Sequence, residues 1–223
     1  MTIAHSGPRI PAPSGTTKRL VIFLHGYGAN GDDLIDIGHH WQNLLPDTSF
    51  VSPHAPFSCQ GAPFGREWFP LRMFTPEELW QGVHIAAPYL NAFIDSEMKE
   101  FSLSESQIAL VGFSQGTMMS LHVGLRRAHA LAGIVGFSGR LCLNPESGID
   151  SLKHELKSKP PIFLNHGDCD PVVPVESLGK AKAALDELGV SCQTHVSHGL
   201  GHGIDMDGMN LASQFLKTAF GIS

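Results

Sequence analysis

The stretch Ile108-Ala-Leu-Val-Gly-Phe-Ser-Gln-Gly-Thr-Met-Met-Ser-Leu-His122 decides the fold. It opens with an apolar run typical of a buried strand and continues as a helix from Met118. Gly112-Phe-Ser-Gln-Gly116 lies between them, so a strand must turn into a helix within a few residues. Glycines let the two legs of such a turn approach closely, and Ser114 at the apex is then exposed at a helix N-terminus. The pattern predicts a nucleophile elbow.

Composition and charge narrow the class of protein. The 223 residues, 42% hydrophobic and 16% charged, suit one sizeable core. The formal net charge of −6 argues against nucleic acid or an anionic membrane as the main partner. No segment is long and apolar enough for a transmembrane helix, and residues 1–9 lack a signal-peptide layout. We expect a cytoplasmic protein, not integral to a membrane, with free thiols at Cys59, Cys142, Cys169 and Cys192.

Strand and helix patterns alternate along the chain. The apolar run at residues 20–24 is typical of a strand that is buried on both faces. We predict further strands at 49–53, 131–137, 161–166 and 190–196, an edge pairing at 9–10, and helices at 32–45, 77–101, 175–188 and 206–220. The irregular segment 54–76 is expected to pack over the core or line a cleft. The alternation predicts a single α/β domain over residues 1–223, with a mostly parallel sheet and helices on both faces.

A serine hydroxyl needs a base to take its proton and an acidic residue to orient that base. The loops after the next strands offer Asp168 and Asp170 as the acid, and His198 and His202 as the base. Asp168 beside a glycine also fits a turn, whereas Asp170 is held by the proline that follows it. His198 lies next to the strand end, whereas His202 lies between two glycines in the loop that must reach back to the serine. The residues favour Asp170 and His202 but leave both alternatives open.

The oxyanion formed in acyl transfer needs two preorganised N–H donors. Gln115, directly after the serine, supplies one from its backbone. The glycine-rich loop His25-Gly-Tyr-Gly28 follows the first core strand, and Tyr27 is its natural donor. This loop lacks the glycine spacing of nucleotide-binding motifs, so a nucleotide site is not predicted.

Other polar residues have simpler interpretations. Ser138 lies in Gly-Phe-Ser-Gly139, but no helix pattern follows, which favours structural support at a strand end. His39-His40 and the later histidines lack the spacing and the carboxylate or thiolate support of a zinc site. We expect no metal and no cofactor.

Five stretches of this sequence resemble the small carboxylesterases that include acyl-protein thioesterases and lysophospholipases, within the α/β-hydrolase fold. They are Val21-Ile-Phe-Leu-His-Gly-Tyr-Gly28, Gly112-Phe-Ser-Gln-Gly116, Phe137-Ser-Gly139, His166-Gly-Asp-Cys-Asp-Pro-Val-Val-Pro174 and Gly201-His-Gly203. The resemblance implies a triad of Ser114, Asp170 and His202, and an oxyanion hole from the N–H groups of Tyr27 and Gln115. It also implies a minimal lid, no cofactor, a possible homodimer, and hydrolysis of aliphatic esters or thioesters.

The chain departs from this family in two places. Thr117 stands where the family often has a further glycine. The loop Arg66-Glu-Trp-Phe-Pro-Leu71 corresponds only loosely to the family's acyl-pocket segment. We predict Trp68 as a substrate-binding residue of this pocket, with core packing as its alternative role.

Together these features predict a serine carboxylesterase that hydrolyses short- to medium-chain acyl esters through an acyl-enzyme intermediate. One alternative is an acyl-protein thioesterase or lysophospholipase acting on long acyl chains. An alternative of another class is a catalytically silent binding protein with the hydrolase fold. The complete order of serine, aspartate and histidine argues against the silent protein.

Overall fold

Seven strands form the central sheet of the computed structural model, which describes residues 7–222. The expectation for residues 1–6 therefore lies outside the described residues. In chain order the strands are β1 (Arg9–Ile10), β2 (Arg19–Leu24), β3 (Thr48–Val51), β4 (Phe57–Ser58), β5 (Arg66–Glu67), β6 (Ile108–Phe113), β7 (Gly133–Phe137), β8 (Ile162–Gly167) and β9 (Cys192–Ser197). The sheet order is β1-β3-β2-β6-β7-β8-β9, with β4 and β5 as a separate antiparallel pair. Only β1 runs antiparallel in the large sheet, at the edge predicted for it.

Helices cover both faces of this sheet, as the alternating pattern predicted. They are α1 (Asp32–Trp41), α2 (Pro76–Phe101), α3 (Gln115–Gly124), α4 (Ile149–Glu155), α5 (Glu176–Glu187) and α6 (Met206–Ala219). The side chains of β2 alternate between the two faces. Leu20 and Ile22 pack with α2 and α3, whereas Val21 and Phe23 pack with α1 and α6. The mostly parallel, doubly covered sheet is confirmed.

Several boundaries differ from the prediction. The first helix ends at Trp41 rather than at residue 45, because Pro46 disfavours helical backbone just before it and the chain closes into turns there. The N-cap position of this helix is Gly31, which has no side chain to cap it. The segment 54–76 contains the short pair β4 and β5, and α4 was not predicted, since it spans only seven residues.

The parallel strands place the candidate residues at one edge of the sheet. Ser114 follows β6, Asp170 follows β8, and His202 follows β9. In a parallel sheet the carboxyl ends of all strands meet at the same edge, where ligands of open α/β sheets bind. The topology thus brings together loops that are far apart in sequence.

Two of the buried histidines, His25 and His122, have strongly lowered pKa values. His25 is 0% exposed and His122 is 3% exposed. Burial disfavours the imidazolium and lowers the pKa of His25 to about 4 and that of His122 to about 2. The charges of Arg126 and His84 lower the pKa of His122 further. Both imidazoles are therefore neutral in the folded protein at pH 5.

We expect the free energy of unfolding to decrease between pH 7 and pH 5. The unfolded state binds a proton at each histidine below about pH 6.5, whereas the folded state does so only near the lowered pKa, so acid favours unfolding. At pH 5 this amounts to about 2 kcal/mol for each histidine. Urea unfolding at both pH values measures the decrease. His122→Phe should remove roughly half of it; an undiminished decrease in this variant would contradict the explanation.

Candidate active site

Ser114 forms the corner between β6 and α3. Its backbone angles are φ 52° and ψ −113°, a conformation that costs a residue other than glycine about 1–3 kcal/mol. The Ser114 N–H donates to the carbonyl oxygen of Phe137 at the end of β7 (2.9 Å), and its own carbonyl accepts from the N–H of Thr117 (3.0 Å). The strained strand-to-helix turn predicted from the motif is present, and neighbouring backbone groups fix it.

Two glycines make this corner possible. A Cβ on Gly116 would lie 1.8 Å from the carbonyl oxygen of Leu24, and one on Gly112 would lie 2.4 Å from the carbonyl carbon of Gly116. The Thr117 hydroxyl lies 2.8 Å from the carbonyl oxygen of Gly112 and 2.9 Å from that of Phe137. Thr117, at a position where the carboxylesterase family that the sequence resembles often has glycine, therefore connects β6 and β7 beneath the corner.

Asp170 and His202 contact each other across the loops after β8 and β9. The His202 Nδ1 lies 2.8 Å from Asp170 Oδ2. Because a carboxylate only accepts, Nδ1 carries the proton and Nε2 is left as an acceptor. Asp170 Oδ1 accepts from the N–H groups of Val172 and Val173 at 2.8 and 2.9 Å. Burial raises the pKa of Asp170, but the hydrogen bonds from His202 and these N–H groups outweigh it, so the pKa is lowered and the carboxylate is ionised at neutral pH.

The other two candidates form a pair of their own. The His198 Nδ1 lies 2.8 Å from Asp168 Oδ2, and the N–H of Gly199 donates to Asp168 Oδ1 at 2.7 Å. The side chain of His198 is 88% exposed, whereas that of His202 is 18% exposed and that of Asp170 is fully buried. The exposed pair therefore closes a surface turn, whereas the buried pair is shielded from water.

Two further side chains support the loops of the buried pair. Ser138 is fully buried, and its hydroxyl donates to the carbonyl oxygen of Gly203 at 3.0 Å, which agrees with its predicted structural role. His166 Nε2 donates to the carbonyl oxygen of Val173 (2.8 Å) and lies 3.3 Å from Asp170 Oδ2. Sequence reasoning missed His166, although it lies four residues before Asp170 in one of the resembling stretches.

The predicted oxyanion-hole donors are the backbone N–H groups of Tyr27 and Gln115. Within residues 7–222, neither the Tyr27 N–H nor the Gln115 N–H donates to a protein acceptor. The loop that carries Tyr27 is held by His25, whose Nδ1 donates to the carbonyl oxygen of Gly26 (2.7 Å) and whose Nε2 accepts from the N–H of Ala55 (3.0 Å). Both nitrogens of the neutral imidazole are thereby used, which explains why His25 is buried without charge.

Trp68 lies in the core rather than in a pocket. It is 2% exposed, its indole N–H donates to the carbonyl oxygen of His25 (3.1 Å), and its backbone N–H donates to the Gln115 side chain (2.8 Å). The same amide donates to the carbonyl oxygen of Phe69 (2.8 Å). In this structure Trp68 packs in the core, and Leu71, Arg72 and Phe74, which follow it in the chain, line the cavity beside Ser114.

A cavity of about 380 Å³ opens beside Ser114. Apolar side chains provide most of its wall, and it brings Ser114 and His202 to one space. Its lining residues are Gly26, Tyr27, Ala29, Leu71, Arg72, Phe74, Phe113, Ser114, Val172 and His202. Among residues 7–222, no three His, Cys, Asp or Glu side chains are arranged to hold a metal ion. None of the helices in that part of the chain has the length and apolar character to cross a bilayer.

Sequence comparison relates the chain to known hydrolases. The sequence model of the phospholipase/carboxylesterase family matches residues 5–220. An acyl-protein thioesterase 1 of Schizosaccharomyces pombe is 30% identical over 215 residues, which cover 94% of each chain. The esterase YpfH of Escherichia coli is 27% identical over 208 residues, which cover 93% of this chain and 86% of its own.

Solved structures show the same fold. The crystal structure of esterase PE8 superposes with a TM-score of 0.91 at 44% identity, covering 96% of this chain and 98% of its own. Arabidopsis thaliana SOBER1 superposes with a TM-score of 0.78 at 26% identity, covering 90% and 98%.

Proposed function

The chain belongs to the phospholipase/carboxylesterase family of ester hydrolases, and we propose that it is a serine carboxylesterase for short- to medium-chain acyl esters. The observation that carries this proposal is the cavity shared by Ser114 and His202, with Asp170 bonded behind the imidazole. Its volume of about 380 Å³ lies at the lower end of the roughly 300–1,000 Å³ range of small-molecule sites. This size favours a short or medium acyl chain over a long one.

In the proposed mechanism, His202 Nε2 takes the hydroxyl proton as Ser114 Oγ attacks the ester carbonyl carbon. The N–H groups of Tyr27 and Gln115 stabilise the oxyanion of the tetrahedral intermediate. The ionised Asp170 stabilises the imidazolium, which then protonates the departing alcohol. In the second half, His202 activates a water that attacks the acyl-enzyme, and the carboxylic acid is released as Ser114 regains its proton.

A second candidate function is thioester or lysophospholipid hydrolysis on long acyl chains. It is favoured by relatives that are named acyl-protein thioesterase 1. The silent binding protein is set aside, because the relatives carry the names of esterases and thioesterases. A cytoplasmic location and a homodimer stay predictions, the second open to sedimentation equilibrium.

Acyl-chain preference tests the proposal. We expect kcat/KM for p-nitrophenyl esters, measured from acetate to palmitate, to be highest among the short and medium chains, with little turnover of a long-chain acyl thioester. The physical reason is the small cavity, which a long chain cannot enter completely. Highest activity on palmitate, together with efficient thioester cleavage, would instead support the second candidate.

A variant of the cavity wall sharpens this test. Leu71→Phe adds volume inside the cavity and should shift the preferred ester to a shorter chain. Leu143 is also half-buried but lines a different cavity, so Leu143→Phe is the matched control and should leave the profile unchanged. An identical shift in both variants would mean that the profile reports stability rather than the cavity.

A further inference from the structure

One cation stands in the wall of the otherwise largely apolar cavity. Arg72 lines it together with Leu71 and Phe74 of the same loop, and Ser114 lies in the same space. The proposed ester hydrolysis needs no positive charge at this place. Arg72 is exposed and lines the cavity that contains Ser114, so we expect a ligand in this cavity to meet a positive charge there.

The loop that carries Arg72 is fixed by a carboxylate. Glu78, in the first turn of α2, accepts from the backbone N–H groups of Arg72 (2.7 Å), Met73 (2.9 Å) and Phe74 (2.8 Å). Phe74 has φ 59°, a strained conformation for a side chain of this size. Strain of this kind persists only where surrounding bonds impose it, and here it sets the cavity wall formed by Arg72 and Phe74.

The guanidinium of Arg72 makes no hydrogen bond and no ion pair within residues 7–222. The Glu78 carboxylate is engaged by three backbone N–H groups, and the charge of Arg72 is a further cause that lowers the pKa of Glu78. The guanidinium groups of Arg9, Arg66, Arg126 and Arg127 are engaged in hydrogen bonds, whereas within residues 7–222 that of Arg140, like that of Arg72, is not. The bonds of the loop thus hold the Arg72 backbone in place while its charge stays available.

We propose that Arg72 binds an anionic group, a carboxylate or a phosphate, on the ester that Ser114 hydrolyses. A guanidinium forms paired, charge-assisted hydrogen bonds with either group, and these gain strength beside an apolar wall. The inference rests on the proposed esterase function and narrows its substrate class to esters with a negative charge near the scissile bond.

Three substrates with the same acyl length separate the possibilities. Ethyl hexanoate is neutral, monoethyl adipate carries a carboxylate on the acyl side, and the hexanoyl ester of 2-hydroxyethyl phosphate carries a phosphate on the leaving-group side. We expect wild-type kcat/KM to be about tenfold higher for at least one anionic ester than for the neutral one. The ester that is preferred identifies the anion and the side of the scissile bond that faces Arg72.

Variants connect this preference to the guanidinium. Arg72→Gln should abolish the ratio of kcat/KM between the preferred anionic ester and ethyl hexanoate, and Arg72→Lys should keep part of this ratio. Lys99→Gln is the matched control. It removes one exposed positive charge in the last turn of α2, about 30 Å from Glu78 in the first turn. The Lys99→Gln variant should prefer the anionic ester over ethyl hexanoate by the same factor as the wild type.

Failure of anion binding by Arg72 can be distinguished from failure of the proposed esterase function. The role of Arg72 is overturned if ethyl hexanoate is hydrolysed but no anionic ester is preferred. It is also overturned if Arg72→Gln lowers kcat/KM by the same factor for all three esters. In both cases the esterase function stands. If the wild type hydrolyses none of the three esters nor any p-nitrophenyl ester, the proposed function itself fails.

Discussion

Ser114→Ala is expected to lower kcat for a p-nitrophenyl ester by about six orders of magnitude, the loss seen when a serine hydrolase loses its nucleophile. The same variant should lose all labelling by a fluorophosphonate, which forms its covalent bond with an activated serine oxygen. The reason is local: Ser114 lines the same cavity as His202, whose Nε2 is left as an acceptor for the serine proton.

The fold should survive this change. The Ser114 hydroxyl makes no hydrogen bond within residues 7–222, and the backbone hydrogen bonds that fix the corner remain in the alanine variant. Thermal unfolding should therefore occur close to the wild-type temperature. Ser120→Ala is the matched control, because Ser120 lies on the adjoining helix and its hydroxyl donates only to the carbonyl oxygen of Gly116. It should keep both labelling and turnover; a labelled Ser114→Ala protein would refute the nucleophile assignment.

The sequence predicted those parts of this protein that depend on neighbours along the chain. The corner at Ser114 is one of them, since an apolar strand, two glycines and a helix pattern lie within fifteen residues. The parallel orientation of the main strands is another, because strands that alternate with helices are joined by crossovers that leave them parallel. Short elements such as α4 escaped prediction, since seven residues carry too little periodicity.

Contacts between distant residues could not be predicted in the same way. The Gln115 amide binds the backbone of Trp68 and Phe69, 46 to 47 residues earlier, and this contact draws Trp68 into the core instead of the cavity. Arg72 is a similar case, because the bonds from Glu78 that fix its loop become visible only in the folded structure. Loop geometry of this kind depends on tertiary packing.

Asp170→Asn is expected to lower kcat by about four orders of magnitude, through the tautomer of His202. The amide oxygen should occupy the Oδ1 position, where it accepts from the N–H groups of Val172 and Val173. The NH₂ group then faces His202 Nδ1, which must become an acceptor and leave the proton on Nε2. In that form the imidazole cannot take the proton of Ser114. Steady-state kinetics on the preferred p-nitrophenyl ester measure the loss.

Asp168→Asn is the control that the chain itself provides. Asp168 contacts His198 with the same 2.8 Å geometry, but at a surface where the His198 side chain is 88% exposed. Replacing the Asp168 carboxylate should leave kcat near the wild-type value, because the exposed pair does not line the cavity. If Asp168→Asn instead shows the large loss and Asp170→Asn does not, the acid of the triad is the exposed aspartate. In that case burial would not distinguish the catalytic aspartate–histidine pair from the surface pair. We expect that it does, since only a carboxylate that is shielded from water can stabilise the imidazolium strongly.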